Sequence, residues 1–273
     1  MNARPIGIFD SGMGGLSVLR ALMRKLPHES FVYLGDTARL PYGTKSADTV
    51  ERYAVQAAGA LMRRDVKLVV VACNTASAVA LPALEKSLAP IPVLGVVEPG
   101  AEAAVTAAQG GTIAVIGTEG TVKGGAYLRA IHARDANADV VQQACPLFVP
   151  LAEEGLIDGE IAELIAERYL APLFDKTKPA ALVLGCTHFP VLAPMLTNVI
   201  ARLGGHTKLV DSAATTADAV AALLAKNGLA QKEFAKPSYV FLSTDAPERF
   251  ARVGEIFLGR TPDHVELVDL QYG

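Results

Sequence analysis

This chain of 273 residues is poor in aromatic residues, in cysteine and in excess charge of either sign. Aromatic side chains make up only 6% of it, whereas alanine, valine and leucine dominate, a composition typical of α/β proteins with buried parallel strands. The formal net charge is −3, whereas proteins that bind nucleic acid or an anionic membrane usually carry an excess of positive charge. Neither is therefore expected as a partner. No segment approaches the ~18 consecutive apolar residues of a membrane helix.

The three cysteines, Cys73, Cys145 and Cys186, are an odd number without disulfide-like or zinc-like spacing. The five histidines are scattered and form no paired ligand motif, so a metal enzyme is a weak alternative and no metal is expected. The N-terminal residues MNARPIGIFD enter a predicted strand almost at once, which leaves no room for a signal peptide. We therefore expect a cytoplasmic protein with free thiols.

Two of the cysteines occupy the same place in a repeated pattern. Residues 68–75 read LVVVACNT and residues 181–188 read ALVLGCTH, so each apolar run ends in a small residue, a cysteine and a polar pair. Three upstream segments are echoed in the same order, namely IGIFDS (6–11) by IAVIGT (113–118), VLRAL (18–22) by YLRAI (127–131), and LPYG (40–43) by VPLA (149–152). Four ordered matches favour a duplicated unit over the general likeness of all α/β segments.

Short apolar strands alternate with amphipathic helices, which indicates parallel sheets covered on both faces. The predicted strands are Ile6–Phe9, Phe31–Leu34, Leu68–Val71, Val93–Val97, Ile113–Ile116, Val140–Ala144, Ala181–Leu184, Lys208–Val210 and Tyr239–Leu242. The predicted helices include Leu16–Lys25, Ala47–Met62, Ala101–Ala108, Gly159–Phe174 and Thr215–Lys226. Ser46 and Asp158 are predicted to open helices, Ser212 to cap a third, and Pro82 to break and restart the helix that follows Asn74.

The expected fold is α/β, with two pseudo-symmetric, doubly wound parallel-sheet domains and an active site in the cleft between them. The first domain is predicted to comprise residues 1–97 together with 209–273, because the C-terminal tail is too short for a third domain and is expected to complete the first sheet. Residues 98–208 form the predicted second domain.

The candidate site residues lie at the ends of the predicted strands, because ligands of open parallel sheets bind beyond the carboxyl ends of their strands. The strand ends carry Asp10, Ser11, Tyr42, Gly43, Cys73, Asn74, Thr75, Gly117, Thr118, Cys186, Thr187 and His188.

The two repeated cysteines have a structural and a catalytic interpretation. A single free cysteine more often fills space in a core than performs chemistry. Cys73 and Cys186, however, both stand where an apolar run stops and a helix is predicted to begin, and the N-terminus of a helix favours a thiolate. Two such thiols facing one pocket suit a reaction in which one removes a proton and the other returns one. Cys145 is interpreted as structural.

Three kinds of acidic or basic side chain accompany the thiols. Asp10 is either a turn carboxylate or a proton carrier near one thiol, and His188 is either a surface histidine or a thiol activator. Either Glu153 or Glu154 could orient His188, or both could be solvated charges.

The glycines of DSGMGG at 10–15 match neither a dinucleotide-binding motif nor a phosphate loop. Close approach of the backbone to a small anionic ligand fits them better. Hydroxyl and amide groups suited to binding carboxylates are supplied by Ser11, Asn74, Thr75, Thr118, Thr121 and Thr187.

Five motifs together resemble glutamate racemase, the cofactor-independent enzyme of the aspartate/glutamate racemase superfamily. They are DSGMGGLSV (10–18), GDTARLPYG (35–43), VVACNTAS (70–77), VVEPG (96–100) and LGCTHFP (184–190). The resemblance covers essentially the whole chain. It implies interconversion of L- and D-glutamate without pyridoxal phosphate, in which Cys73 acts on the α-proton of D-glutamate and Cys186 on that of L-glutamate.

The same resemblance assigns the remaining residues. Asp10 and His188 fall on assisting acid/base positions, and Glu153 on the glutamate that supports the histidine. Substrate contacts are implied for Asp10, Ser11, Tyr42, Gly43, Asn74, Thr75, Thr187 and His188. The resemblance also implies a homodimer in the bacterial cytoplasm that supplies D-glutamate for peptidoglycan. Two rivals remain at this point: a racemase for aspartate or a hydantoin, and a glutamate-binding sensor whose thiols are inert.

Overall fold

The computed structural model describes residues 3–231 and 236–270. They form two α/β domains, each built on its own parallel sheet. The strands are β1 (Ile6–Asp10), β2 (Phe31–Gly35), β3 (Leu68–Val71), β4 (Val93–Gly95), β5 (Ile113–Gly117), β6 (Val140–Ala144), β7 (Ala181–Gly185), β8 (Lys208–Asp211), β9 (Tyr239–Ser243) and β10 (Val265–Leu267). The central strands β1, β2, β3, β5 and β7 are buried along their whole length, as expected for strands covered on both faces.

The helices that cover these sheets are α1 (Leu16–Lys25), α2 (Ala47–Met62), α3 (Asn74–Val79), α4 (Leu81–Leu88), α5 (Val97–Ala108), α6 (Glu119–Gly124), α7 (Ala126–His132), α8 (Phe148–Glu153), α9 (Gly159–Lys176), α10 (Ala193–Arg202), α11 (Ser212–Lys226) and α12 (Pro247–Leu258). Short 3-10 helices span Thr37–Arg39, Tyr42–Thr44 and Phe189–Leu192.

The two sheets share one strand order over four strands. The larger sheet runs β10-β9-β2-β1-β3-β4 and the smaller β6-β5-β7-β8, with every pairing parallel. Strands β1, which ends at Asp10, and β5, which ends at Gly117, occupy equivalent central places. Each is flanked by the strand that precedes a repeated cysteine. The fold is therefore two parallel-sheet α/β domains, as the sequence predicted, and the four-strand order accounts for the repeated motifs.

Each sheet has an apolar core on both faces. In the larger sheet, α1, α11 and α12 pack on one face and α2, α3 and α4 on the other. In the smaller sheet, α8, α9 and α10 cover one face, while α5 and α7 cover the other. Leu, Val and Ala supply most of these contacts, which explains how so few aromatic residues suffice.

The chain crosses between the sheets twice. It passes from β4 to β5 through α5, and from β8 back to β9 through α11. Helix α11 packs against both α1 and α5, so the two crossings lie side by side. Strand β8, which spans Lys208–Asp211, still belongs to the smaller sheet, and only β9 and β10 of the returning tail join the larger one.

Two local predictions were wrong, and one strand was missed. The run Val93–Val97 is not one strand, because β4 ends at Gly95 and α5 begins at Val97. The side chain that caps α11 is Asp211, which accepts a hydrogen bond from the Ala213 N–H at 2.8 Å, and not Ser212. Strand β10, at the edge of the larger sheet, was not predicted.

Other local predictions are confirmed. Ser46 caps α2 by accepting from the Thr49 N–H, and Asp158 stands at the start of α9, although its side chain makes no capping bond. Pro82 lies in the first turn of α4, directly after α3 has ended, where a missing N–H costs nothing.

Among the helices of the described residues, none combines the length and the apolar composition of a membrane-spanning segment.

A buried ion pair at the amino ends of β2 and β3 anchors the returning tail. Lys67 Nζ lies 2.6 Å from Glu29 Oε2, with the two side chains 0% and 4% exposed. The same ammonium donates to the Leu229 carbonyl at 2.8 Å, and Glu29 Oε1 accepts from the Gln231 N–H at 2.7 Å. The pair therefore ties the segment leading to β9 to the sheet it will join.

Glu29→Gln is expected to lower the free energy of unfolding by about 3 kcal/mol, because it replaces the carboxylate that contacts the buried Lys67 ammonium with a neutral amide. Urea denaturation measures this. Asp218→Asn is the matched control, because it breaks a pair with Lys25 of equal length (2.6 Å) whose side chains are 50% and 68% exposed, and it is expected to cost less than about 1 kcal/mol. Equal losses in the two variants would contradict the anchoring role.

Candidate active site

The carboxyl ends of the two sheets face each other across a small cavity of about 30 Å³. The cavity is lined from the first domain by Ser11, Pro41, Tyr42, Gly43, Cys73, Asn74 and Thr75, and from the second by Thr118, Val149, Cys186, Thr187 and His188. Two larger hollows, of about 490 and 910 Å³, lie outside this cleft and contain neither repeated cysteine. The chemistry-bearing residues thus converge on the smaller, enclosed space.

Cys73 stands directly after β3 and is the N-cap of α3. Its sulfur accepts from the Ala76 N–H at 3.4 Å and lies 3.7 Å from Ser11 Oγ. Burial, reinforced by the charge of Asp10, outweighs these two hydrogen bonds and raises the pKa of the Cys73 thiol to about 12. The N–H at the start of α3 does favour the thiolate, as expected from the sequence, but burial of this side chain, which is only 5% exposed, outweighs it.

Cys186 follows β7 and is followed by a turn before the 3-10 helix Phe189–Leu192, so no α-helix begins at this cysteine. Its sulfur lies 3.8 Å from His188 Nδ1. The opposite ring nitrogen, His188 Nε2, lies 3.1 Å from Glu153 Oε1, and the second oxygen of Glu153 accepts from Arg249 at 2.9 Å. These contacts form a continuous polar network from the exposed side chain of Arg249 to the Cys186 thiol.

His188 is buried, with its ring edge-on to Phe257 at 5.0 Å between centroids. Burial alone lowers the pKa of His188, but its hydrogen bonds with Cys186 and Glu153 and the charges of Cys186 and Asp10 outweigh burial and raise the pKa to about 10. Partial burial likewise raises the pKa of Glu153, and the bonds from His188 and Arg249 reverse this to a net lowering. These contacts therefore favour the imidazolium form of His188 at neutral pH.

Asp10 lies behind the cavity wall and is fully buried. One carboxylate oxygen accepts from the N–H groups of Gly12 and Gly15, both at 3.1 Å, and the other lies 3.5 Å from Thr187 Oγ1. Burial raises the pKa of Asp10, although the charge of His188 and the loop N–H groups oppose the shift. The structure therefore shows Asp10 as the carboxylate that closes the turn, close enough to His188 for their charges to interact, while its role as a proton carrier stays a prediction.

The glycines of the DSGMGG loop make room for side chains. A Cβ on Gly14 would overlap the His188 ring and Thr187 Oγ1, and one on Gly15 would overlap Asp10. At Gly14 the groups that approach this backbone are polar side chains of the second domain, and at Gly15 the group is Asp10, while the approach of a ligand stays a prediction. Ser17 reinforces the contact, because its hydroxyl donates to the Thr187 carbonyl at 2.9 Å.

Three threonines form a hydroxyl cluster where the domains meet. Thr75 Oγ1 lies 3.1 Å from Thr118 Oγ1 and 3.4 Å from Thr121 Oγ1, and Thr118 caps α6 by accepting from the Thr121 N–H. Thr75 and Thr118 line the cavity, whereas Thr121 is fully buried behind them. Above them Gly43 lies against the second domain, because a Cβ there would come within 2.8 Å of Thr118.

The cavity is small in this structure. A volume of about 30 Å³ holds two or three water molecules at ~10–15 Å³ each, which is less than an amino acid with two carboxylates requires. Binding of such a molecule therefore requires the cavity to widen.

Comparisons with known proteins agree with this geometry. A sequence profile of the Asp/Glu/Hydantoin racemase family matches residues 8–220. Glutamate racemase from Geobacter metallireducens is 48% identical over 268 residues, covering 98% of this chain and 97% of the relative. This chain belongs to the glutamate racemase family.

Solved structures of glutamate racemases superimpose over nearly the full length. The enzyme from Francisella tularensis in complex with D-glutamate is 38% identical with a TM-score of 0.91, covering 99% of each chain. The enzyme from Thermus thermophilus in complex with beta-chloro-D-alanine is 45% identical with a TM-score of 0.87, covering 98% of each chain. The fold described above is thus that of glutamate racemases, and the protein is an isomerase of that family.

The structure of this glutamate racemase family member brings most of the residues predicted from sequence to one place. Ten of them line the cavity, namely Ser11, Tyr42, Gly43, Cys73, Asn74, Thr75, Thr118, Cys186, Thr187 and His188. Asp10 and Thr121 lie behind the wall, and Glu153 lies behind His188. Between Glu153 and Glu154, the residue that contacts His188 is Glu153.

Sequence reasoning missed two lining residues, Pro41 and Val149. Both fall inside the repeated pair LPYG and VPLA, so the internal repeat was the signal that could have found them. Cys145, interpreted as structural, is fully buried outside the cavity lining, with its thiol 3.7 Å from the Gln143 carbonyl. Within residues 3–231 and 236–270, no group of three or more metal-ligating side chains comes together.

The raised pKa of His188 has a consequence for stability. A folded-state pKa of about 10, above the unfolded value of about 6.5, means that protonation of His188 stabilises the fold fully below pH 6.5. This contribution declines as the pH rises and is lost at about pH 10. His188→Asn lacks it, so the stability difference between wild type and this variant is expected to shrink between pH 7 and pH 9.5 in urea denaturation. A difference that stays constant or grows would contradict the assignment.

Proposed function

We propose that this protein interconverts L- and D-glutamate by a cofactor-independent, two-thiol transfer of the α-proton. The observation that supports this most strongly is the pair of buried thiols, Cys73 and Cys186, which line one cavity from equivalent strands of two different domains. Racemisation requires an acid and a base on opposite faces of a carbon atom, and such a pair supplies both.

The surroundings of the two thiols suggest their resting roles. The pKa of Cys73 is raised to about 12, so at neutral pH this residue is a thiol and holds the proton to be donated. Cys186 Sγ lies 3.8 Å from His188 Nδ1, so the ring is placed to assist proton transfer at this sulfur. In the direction from L- to D-glutamate, Cys186 Sγ takes the α-proton and Cys73 Sγ–H delivers one to the opposite face. The reverse direction exchanges the two roles.

The intermediate of this reaction is a carbanion whose charge spreads onto the α-carboxylate, so preorganised donors near that group matter most. Hydroxyl and amide groups surround the cavity on both sides, which suits a substrate with two carboxylates. We assign the contacts with glutamate to Asp10, Ser11, Tyr42, Gly43, Asn74, Thr75, Thr118, Thr121, Thr187 and His188. Because Asp10 and Thr121 lie behind the wall, their contacts require rearrangement when the cleft opens and closes on the substrate.

His188, Asp10 and Glu153 are assigned assisting roles. Glu153 holds the His188 ring at 3.1 Å and keeps it protonated, so that Nδ1–H faces the Cys186 sulfur. Asp10 balances the same positive charge from the other side. A cytoplasmic homodimer that supplies D-glutamate for peptidoglycan is the cellular context that we propose on the basis of the family. We place the end of the second domain after β8 rather than at residue 208, because β8 pairs with β7, and we assign the tail that follows to the first domain with residues 1–97.

A racemase for aspartate or a hydantoin is the second candidate, because the family profile covers all three chemistries. The full-length similarity to glutamate racemases favours glutamate. A substrate panel distinguishes the candidates: glutamate is expected to be turned over at least tenfold faster than aspartate. Equal or faster turnover of aspartate would contradict the choice of glutamate.

Cys73→Ser and Cys186→Ser are each expected to lower net racemisation by at least about 10³-fold, since a serine hydroxyl is far too weak an acid or base to replace the thiol. Circular dichroism at a fixed glutamate concentration, started from either enantiomer, measures the rate.

Cys145→Ser is the matched control, because this third buried cysteine lies outside the cavity, and its activity is expected to stay within about threefold of wild type. Near wild-type turnover in either of the first two variants, in both directions, would rule out the two-thiol mechanism.

A further inference from the structure

The side chain of Asn74 carries a buried amide nitrogen, Nδ2, that is able to donate a hydrogen bond. The residue is 3% exposed and lines the cavity, yet its Nδ2 has no hydrogen-bond partner within the described part of the chain. A buried N–H group left without an acceptor is destabilising, so such groups are rare unless a ligand completes them. The amide nitrogen of Asn74 is therefore an unused donor on a residue that lines the cavity.

Tyr127 determines which way this amide faces. Its hydroxyl donates to Asn74 Oδ1 at 2.7 Å. If the amide were turned by 180°, the Tyr127 oxygen would have to accept from Nδ2, and the hydroxyl proton would then need another acceptor. Asn74 Oδ1 is the acceptor this hydroxyl has among residues 3–231 and 236–270. The Tyr127 hydroxyl thus holds Oδ1 of Asn74 toward itself and leaves Nδ2 available to donate to another group.

The ring of Tyr127 is itself held rigidly. The side chain is completely buried, and two glycines make space for it. A Cβ on Gly100 of α5 would lie 3.1 Å from the ring and the hydroxyl, and a Cβ on Gly185, next to Cys186, would lie 3.1 Å from the opposite ring edge. Both glycines fall in motifs noted from the sequence, VVEPG and LGCTH, and their lack of a side chain is explained by this packing.

The bond between Tyr127 and Asn74 crosses the domain interface. Asn74 begins α3 in the first domain, and Tyr127 lies on α7 above the second sheet. The amide is therefore oriented only when the two domains are together, which is also when the cavity is enclosed.

We propose that Tyr127 is a positioning residue that orients the Asn74 amide so that Nδ2–H donates to a carboxylate oxygen of glutamate. This inference rests on the proposed function, since it takes glutamate as the ligand of the cavity. It adds a residue from the second domain that acts through Asn74 without touching the substrate.

Tyr127→Phe tests the proposal, because it removes the hydroxyl and keeps the ring. The KM for both glutamate enantiomers is expected to rise roughly five- to tenfold, the value of one hydrogen bond. The kcat is expected to stay within about twofold, because a carboxylate is charged in the ground state and in the transition state, so the loss is one of uniform binding. Tyr169→Phe is the matched control, since its hydroxyl accepts from the Leu147 N–H outside the cavity, and its kinetics are expected to be unchanged.

A double-mutant cycle separates positioning from a structural role. In an Asn74→Ala background, Tyr127→Phe is expected to change KM by less than twofold, because the amide it orients is gone. If Asn74→Ala turns over too slowly for kinetics, the same cycle is completed with Kd values for D-glutamate from calorimetry, and melting temperatures verify that every variant is folded.

Two results would overturn the proposal: an unchanged KM in Tyr127→Phe, or a rise of the same size with and without Asn74. A failure of the proposed function looks different, because the wild-type protein itself would then fail to racemise glutamate.

Discussion

The structure depends above all on the burial of one positive charge, the His188 imidazolium, at the interface of the two domains. A buried charge is tolerated only when it is paired and hydrogen-bonded, and His188 finds Glu153 at 3.1 Å on one side and the Cys186 sulfur at 3.8 Å on the other. Asp10 from the opposite domain adds a second negative group. The ring also needs the space left by Gly14, so the loop of one domain and the histidine of the other fit only together.

This arrangement makes the two thiols unequal although the strands that carry them are equivalent. Cys73 has a helix N–H and a serine hydroxyl, which are too weak to overcome burial, whereas Cys186 has a full positive charge beside it. A repeated fold with unrepeated surroundings thus places one thiol at a buried helix cap and the other beside a histidine. The enclosed cavity preserves this difference, because water would otherwise screen the charges.

The sequence alone predicted both domains, nine of the ten strands and the convergence of the strand ends, because a buried strand and the polar residues after it form a local pattern. Strand β10 was missed since three residues reading VEL at a sheet edge carry no such pattern. The approach of His188 to Gly14, the raised pKa of Cys73 and the bond from Tyr127 to Asn74 could not be predicted. Each arises from contact between residues far apart in the chain.

The most direct test of the account is incubation of L-glutamate with the purified protein in D2O, without added cofactor, following optical rotation and α-deuterium together. The account predicts that rotation decays and that the D-glutamate formed in early turnovers carries deuterium at the α-carbon, while the remaining L-glutamate keeps its hydrogen. D-glutamate that retains the original α-hydrogen would contradict transfer between two thiols. Binding of glutamate with neither rotation change nor exchange would contradict the enzyme itself.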